Sequence, residues 1–188
     1  ASDEGINVFD GQSLTSYSYP DHSGLLHNNI TQIYCDKNGV IWVAHNKGIQ
    51  YLLPAAQQFL TLSLPAPLNP EDLLMGETDT ALIVLSRTGC YTVDGEYRVR
   101  TTEWMNDIII QHGFPLSIEK LSNDEWLWGC DKGLLRVSLA QQQVVRLYPY
   151  LQAWAIQKMN DSLVLCGSFS RAQTAIVHLH SGAVTDIN

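Results

Sequence analysis

The sequence predicts an all-β fold of β-propeller blades, each a four-stranded antiparallel sheet, amounting to about four and a half blades of a larger ring. Three observations predict it. A glycine recurs at Gly5, Gly48, Gly89 and Gly133, with spacings of 43, 41 and 44 residues. A short apolar run precedes each internal glycine, and segments of alternating polarity, the pattern of strands, lie upstream. Four short strands repeated about every 40 to 50 residues are typical of propeller blades.

The first element is predicted to be half a blade, over residues 5–19. Gly5 occupies the place of the repeat's glycine, so the residues after it supply only the third and outer strands. The inner edge of this half-blade would be unpaired, and unpaired strand edges invite pairing with another chain. We therefore expect its partner to be either the remaining propeller blades of a parent chain or a second copy in a homo-oligomer.

The first complete blade is expected at about residues 25–64. An alternating segment, a turn and an apolar run precede Gly48, and two strand-like runs follow it. Asp, Asn and Gly suit tight hairpin turns between strands. In chain order, these elements are Ile30–Tyr34, Asp36–Gly39, Val40–Val43, Ile49–Leu53 and Phe59–Leu64.

Two more blades with the same pattern are expected at about residues 72–103 and 115–148. Each has a polar turn followed by an apolar run ahead of its glycine, which is the order found in the first blade. These turns and runs are Glu77–Thr80, Ala81–Val84, Ser122–Glu125 and Trp126–Trp128.

A fourth, degenerate blade is predicted at about residues 153–188. It lacks the glycine spacing, and the polar insert Ser168–Gln173 delays its third strand. A β-sandwich is the alternative architecture, but it would not repeat a glycine at a fixed period of four strands. The predicted strands are Trp154–Ile156, Leu163–Gly167, Ile176–Leu179 and Val184–Ile187.

The composition excludes some classes of partner. The chain has 188 residues, 16% of them charged, and a net charge of −8. This charge repels phosphate backbones and anionic lipid, so we set aside nucleic-acid and membrane-surface binding. No run approaches the roughly 20 apolar residues of a membrane span, and the polar, acidic segment Ala1–Gly5 does not resemble a signal peptide. Targeting and membrane segments would belong to a longer parent protein.

The four cysteines, Cys35, Cys90, Cys130 and Cys166, do not form a metal-binding pattern. No two of them have the short spacing of a zinc site. Each lies in or beside an apolar run, so we expect buried, unpaired thiols that pack as small apolar side chains. A disulfide remains the alternative.

No catalytic residue, cofactor or metal site is predicted. His178 and His180 would share one face of a strand, but no third metal ligand lies nearby in sequence. Glycosidases need two facing carboxylates, one with a raised pKa, whereas the acids here fall mostly in solvated turns. Nucleophile-elbow, dinucleotide-binding and phosphate-loop motifs do not occur. The turn acids are Asp36, Asp79, Asp124, Asp131 and Asp161.

The first complete blade closely resembles the two-component regulator propeller repeat. That repeat has a Gly-Leu and His-Asn opening, an Asp-x-x-Gly turn, an Ile-Trp-Val strand, a Gly-Ile pair and a terminal aromatic residue. The segment Trp128–Leu134 resembles its central section again, although Leu127 occupies the usual tryptophan position. In the first blade, the matching residues are Gly24–Ile30, Ile33, Asp36, Gly39, Ile41–Val43, Gly48, Ile49 and Phe59.

This resemblance implies a function that composition and spacing do not. It implies the sensor half of a hybrid two-component system, in which large periplasmic propellers bind oligosaccharides and signal across the inner membrane. We therefore expect this chain to be a non-catalytic fragment of such a sensor, whose histidine kinase lies elsewhere in the parent protein. A protein-interaction scaffold and a propeller lyase or glycosidase are the alternatives.

Ligand binding is expected on the connections that enter the first and third blades, because loops vary freely while strands are committed to packing. Trp42, Trp126 and Trp128 are expected in the core between blades, whereas Trp104 lies in a connection. Aromatic and polar groups together suit an uncharged sugar. An acidic surface would disfavour uronate or sulfated ligands unless a local basic patch compensates. The candidate ligand-binding residues are Tyr19, His22, His27, Trp104, Asn106 and His112; His27 is also expected to fix its loop.

Overall fold

A computed structural model of the chain describes residues 4–21, 23–66, 68–69, 72–148, 152–168 and 173–187. The half-blade consists of β1 (Ile6–Phe9) and β2 (Leu14–Tyr17). The first blade consists of β3 (Ile30–Cys35), β4 (Ile41–His45), β5 (Gly48–Leu52) and β6 (Leu60–Thr61). The second consists of β7 (Leu74–Glu77), β8 (Ala81–Ser86), β9 (Gly89–Asp94) and β10 (Val99–Thr101).

The helix α1 (Glu103–His112) precedes the third blade. This blade consists of β11 (Pro115–Lys120), β12 (Glu125–Cys130), β13 (Gly133–Ser138) and β14 (Gln143–Tyr148). The fourth blade consists of β15 (Ala155–Lys158), β16 (Leu163–Ser168), β17 (Gln173–His178) and β18 (Val184–Ile187).

Every strand pairs antiparallel with its neighbour in the sequence, so each four-stranded sheet is an up-and-down meander. The predicted all-β fold of four-stranded propeller blades is confirmed. The predicted turns after β3, β7 and β11 join the first and second strands of their blades. The fourth strand of the first blade is shorter than expected, because β6 has only two residues.

Residues 1–101 and 102–188 form two compact units. In the first unit, one apolar core packs the first blade on the second through Trp42, Tyr51 and Tyr97. The rings of Tyr51 and Tyr97 stack with centroids 4.4 Å apart, and the Trp42 ring lies 5.1 Å from that of Tyr51. A second core packs the half-blade on the first blade through Ile6, Ile30, Val43, Leu52 and Phe59.

In the second unit, the core between the third and fourth blades includes Leu127, Leu134 and Cys166. Close approach explains the glycine at position 129. A Cβ on Gly129 would lie 2.2 Å from the carbonyl oxygen of Ala153, which also accepts a 2.7 Å hydrogen bond from Ser117 Oγ. Any larger residue would force these two blades apart.

Three of the repeat glycines, Gly5, Gly48 and Gly133, have a backbone conformation that side chains rarely adopt. Gly48 has φ of 118° and Gly133 has φ of 134°, and each begins the third strand of its blade. Glycine tolerates positive φ because it has no Cβ. At these two hairpins, the regular spacing of the glycines in the sequence therefore reflects the positive φ required where the third strand begins.

The expectation for the cysteines is wrong at Cys35. Cys90, Cys130 and Cys166 are buried, but Cys35 is exposed because it ends β3 at the turn. All four are described and none forms a disulfide. Burial raises the pKa of each of the three buried thiols to about 12.

The connection before the third blade contains the helix α1, whereas the sequence predicts only a connecting segment there. Met105 and Ile108, three residues apart, are buried on one side of this helix, and the N–H of Gly113 ends it by donating to Ile109 O at 2.9 Å. A helix of ten residues is too short to cross a bilayer, and the described residues contain no apolar helix of sufficient length.

His180 lies outside the strand in which it was placed by the sequence prediction. β17 ends at His178, and His180 occupies the turn that follows. The alternation of a strand therefore does not place these two side chains on one face. Most of the predicted polar insert, residues 169–172, lies outside the described residues.

Candidate functional site

The strand order brings particular loops to one end of each blade. In a meander, the connection that enters the first strand lies at the same end as the turn between the second and third strands. We call this the entry end. The segments Tyr19–Asn28 and Trp104–Phe114 therefore belong to the entry ends of the first and third blades.

Tyr19 is held by its backbone and has an exposed ring. Its N–H donates to Asn28 Oδ1 at 2.5 Å, and Asn28 Nδ2 donates to the Tyr19 carbonyl at 2.8 Å. The side chain is 53% exposed. These two hydrogen bonds close the loop by joining Tyr19 to Asn28, the residue that follows His27. His22, also predicted for the site, lies outside the described residues.

His27 packs against a second histidine that the prediction did not include. Its Nδ1 accepts the N–H of Asn29 at 3.0 Å, and its ring stacks on that of His45 with centroids 6.4 Å apart. These contacts support the interpretation that His27 fixes the loop.

His45 is fully buried and neutral. Its Nδ1 accepts the N–H of Lys47 at 3.0 Å, so the ring proton is on Nε2, which donates to Gln50 Oε1 at 2.8 Å. Burial lowers the pKa of His45, the Gln50 hydrogen bond partly opposes this, and the nearby His27 lowers it further. A neutral imidazole is thus part of the folded structure of the entry end.

Gln50 connects this histidine to the entry loop. Its Oε1 also accepts the N–H of Leu26 at 2.9 Å, while Nε2 donates to the Gly24 carbonyl at 2.9 Å and to Thr61 Oγ1 at 3.3 Å. Buried polar groups are costly unless they are paired, and Gln50 has partners at both ends of its amide. One sequence signal of this network is the glutamine between Ile49 and Tyr51 in an otherwise apolar strand.

The helix separates two of the predicted site residues. Trp104 and Asn106 are both partly exposed, but helical geometry places them about 160° apart around the axis of α1. Trp104 and His112 lie about 80° apart, on the side that includes Met105 and Ile108. The structure thus brings Trp104 and His112 toward one side, and Asn106 points elsewhere.

His112 ends α1 beside two cations. Arg146 Nη2 donates to His112 Nδ1 at 2.9 Å, and Lys132 Nζ donates to the Gln111 carbonyl at 3.3 Å. Burial, and then the charges of Arg146 and Lys132, lower the pKa of His112. The entry end of the third blade is therefore locally basic.

Clefts in both compact units are lined by residues other than the predicted site residues. A cleft of about 250 Å³ between the first and second blades is lined by Trp42, Tyr97 and several carboxylates, among them Glu77. The Lys37 N–H donates to both carboxylate oxygens of Glu77, at 3.0 and 3.2 Å. These hydrogen bonds join the β3–β4 turn to the end of β7. Between the third and fourth blades, a polar cleft of about 640 Å³ contains the Glu125–Arg136 ion pair.

Asp10, Asp21 and Asp94, three acidic side chains among the described residues, are held in their own turns by hydrogen bonds. Among the described residues, no three His, Cys, Asp or Glu side chains converge as metal ligands. Hydrogen bonds lower the pKa of Asp10 to about 2 and also lower those of Asp21 and Asp94, whereas a general acid needs a raised pKa.

Comparison with known proteins agrees with this architecture. Residues 24–47 match the family model described as the two component regulator propeller. The match covers the entry loop of the first blade, β3, β4 and the turn that contains Lys47. The predicted resemblance of this blade is therefore confirmed. No curated protein sequence matches the chain.

Solved structures resemble the chain over nearly its whole length. Two are extracellular domains ascribed to hybrid two-component systems of B. thetaiotaomicron, at 18% and 16% identity and TM-scores of 0.71 and 0.72. They cover 98% and 99% of this chain, which spans only 27% and 28% of theirs. A catalytically inactive virginiamycin B lyase from Staphylococcus aureus, bound to quinupristin, has a TM-score of 0.69 at 14% identity, covering 97% of this chain and 62% of that one.

These comparisons define the chain as a β-propeller domain that carries a two-component regulator propeller repeat. It is similar in fold to the extracellular domains of hybrid two-component systems. The lyase has the same architecture, so the fold alone does not assign a chemistry.

Proposed function

We propose that this chain is part of the periplasmic, ligand-sensing propeller of a hybrid two-component sensor, and that it binds an oligosaccharide without catalysing its turnover. The observation that carries the proposal is the two-component regulator propeller repeat at residues 24–47. The likeness in fold to an extracellular domain ascribed to a hybrid two-component system, over 98% of this chain, supports it. The parent sensor supplies the histidine kinase and the inner-membrane segment.

The arrangement of side chains supports a binding role at the entry ends. Both faces of the first blade are committed to packing, through Trp42 on one side and Val43 on the other. At its entry end, Tyr19 has an exposed ring on a loop held by Asn28. Protein sites for small molecules combine apolar surface with a few fixed polar groups, and this loop offers both.

The absence of turnover is proposed from the carboxylates. Asp94 accepts the N–H groups of Glu96 and Arg98 at 2.9 and 3.1 Å and Arg98 Nε at 2.9 Å, which commits it to its own turn. Its pKa is lowered, so at neutral pH it is ionised and has no proton to donate. Asp36 is similarly committed to the β3–β4 turn. These are the acids of a stable turn, without the protonated partner that hydrolysis requires.

The partners proposed with this function are the remaining blades of the parent propeller. The corresponding boundaries are a half-blade at residues 5–19 and blades at about 25–64, 72–103, 115–148 and 153–188. Exposed Phe9 and Leu14 face each other across the half-blade, with 67% and 64% exposure. We expect this apolar pair to promote a homo-oligomer when the chain is isolated, and Phe9→Ser with Leu14→Ser to shift sedimentation toward monomer. A strictly monomeric wild-type chain at high concentration would contradict this.

Calorimetry of the intact extracellular region against a panel of neutral and uronate-containing oligosaccharides tests the proposed function. We expect saturable binding of at least one, weakened several-fold by Trp104→Ala or His112→Ala. Asp107→Ala, an exposed change on the same helix, is the control and should bind like wild type. If ligand binds and neither Trp104→Ala nor His112→Ala weakens it, the α1 placement of the site is wrong. If no oligosaccharide binds, the sensing proposal fails.

A further inference from the structure

Basic side chains from three different elements meet at the entry end of the third blade. His112 is the last residue of α1, Lys132 lies in the β12–β13 turn and Arg146 lies on β14. Arg146 Nη2 is 2.9 Å from His112 Nδ1, and Lys132 Nζ is 3.3 Å from the carbonyl oxygen of Gln111. We call these three residues the basic cluster.

Arg146 in the basic cluster differs from two other arginines of this chain in its hydrogen-bond partner. Arg136 and Arg98 each form an ion pair with a carboxylate, Glu125 and Asp94 respectively. The hydrogen-bond partner of Arg146 is an imidazole that carries no negative charge. In a chain of net charge −8, Arg146 and Lys132 bring two cationic side chains to the end of α1.

One carboxylate, that of Asp131, also lies near the cluster, next to Lys132 in the β12–β13 turn. A Cβ added to Gly113 would lie 3.3 Å from Asp131 Oδ2, which places that carboxylate beside the residue that ends α1. Burial, and then the charges of Arg146 and Lys132, lower the pKa of His112.

We propose that the basic cluster binds an anionic group of the ligand, specifically the carboxylate of a uronic acid residue in an oligosaccharide. This inference rests on the proposed saccharide-sensing function and specifies its ligand class. The basic cluster supplies the local basic patch that an acidic protein requires to bind a negatively charged sugar.

Arginine suits this role because its planar guanidinium has five N–H donors and pairs with a carboxylate through two parallel hydrogen bonds. Arg146 uses one of its nitrogens on His112 and its side chain is exposed, so the other edge remains accessible. Lys132 adds a point charge.

Stabilisation of the helix end explains only part of this arrangement. Cations near a helix C-terminus interact favourably with its carbonyl groups, and Lys132 does so at Gln111. Arg146 instead contacts the His112 ring. A purely structural role therefore predicts that loss of Arg146 changes stability without changing anion binding.

The test is an NMR titration of the ¹⁵N-labelled 188-residue chain with a disaccharide ending in glucuronic acid, its neutral glucose counterpart and sodium sulfate. We expect the uronate to shift the signals of His112, Lys132 and Arg146 saturably and to raise the pKa of His112, because an anion favours the imidazolium. Arg146→Gln should weaken uronate binding about tenfold, the effect of losing a charge-assisted hydrogen bond. Lys132→Gln should weaken it less.

Arg100→Gln is the matched control, because Arg100 is also an exposed arginine on the outer strand of a blade. It should bind the uronate like wild type. Equal losses in Arg146→Gln and Arg100→Gln, no saturable uronate shift, or equal affinity for sulfate or the neutral sugar would each overturn the anion site. Saturable uronate binding elsewhere in the chain that Arg146→Gln leaves unchanged would overturn the anion site while leaving the sensing function intact.

Discussion

The indole N–H of Trp42 donates to Oδ2 of Asp36 at 3.0 Å, across the turn that joins β3 to β4. The other carboxylate oxygen, Oδ1, accepts the N–H groups of Asn38 and Val40 at 2.9 and 3.0 Å. One side chain thus closes a hairpin turn and satisfies a buried indole. The Asp and Trp of the repeat act as one structural unit, and they are six residues apart because the hairpin folds back at Gly39.

Replacing Asp36 with Ala should destabilise the chain by about 2 kcal/mol, because a buried donor and two turn N–H groups lose their acceptor. Asp186→Ala, an exposed change on β18, should alter stability by less than about 0.5 kcal/mol. Urea unfolding measures both. Equal stabilities for the two variants would show that the carboxylate does not hold the turn.

Replacing Gln50 with Leu should destabilise the first blade by about 3 kcal/mol, because His45 Nε2–H and the Leu26 N–H lose a buried acceptor. Hydrogen exchange at the Leu26 amide should accelerate as the entry loop detaches. Gln143→Leu, on the exposed face of β14, is the control. Unchanged protection of Leu26 in Gln50→Leu would contradict the network.

Acid should destabilise the fold through His45. Burial lowers its folded pKa below the unfolded value of about 6.5, so the unfolded chain binds the proton first. This contribution to stability is complete above about pH 6.5 and is lost as the pH falls below it. Between pH 7.5 and pH 5.5, the free energy of unfolding measured with urea should fall less in His45→Gln than in wild type. His178→Gln removes an exposed histidine and should keep the full fall; a full fall in His45→Gln would disprove the assignment.

Thiol reagents should distinguish the cysteines. Reaction requires the thiolate, and burial both raises the pKa of Cys90, Cys130 and Cys166 to about 12 and blocks access. At pH 8, mass spectrometry of the native chain should show rapid addition of one label, at Cys35. Cys35→Ser should abolish this rapid phase. Two or more rapid additions would mean that the packing between blades is looser than described.

The blade pattern could be predicted because each element has a local cause. Gly48 and Gly133 need positive φ at a hairpin, and apolar strands such as β4 need a blade on each face. The same local reasoning could identify the turn at Asp36 but not its bond to Trp42, which depends on strand register. Cys35 illustrates the limit, because its exposure depends on where β3 ends rather than on its apolar neighbours.

The helix and the basic cluster could not be predicted, for different physical reasons. α1 contains the run Ile108–Ile110, which favours strand, and Thr102 makes no side-chain cap, so its helicity depends on burial of Met105 and Ile108. The cluster joins residues 112, 132 and 146 from separate elements, and only the assembled blade brings them together. His112 was predicted for the site, but its two cationic neighbours have no sequence signature.

The most direct test of the account is native mass spectrometry of the intact extracellular region after prolonged incubation with candidate oligosaccharides. It reports binding and turnover in one spectrum. We predict a saturable complex in which the released ligand keeps its original mass, as expected for a sensor that binds and does not react. Protein-dependent appearance of shortened or eliminated sugar products would contradict the account, because it would require an assembled catalytic centre in the propeller.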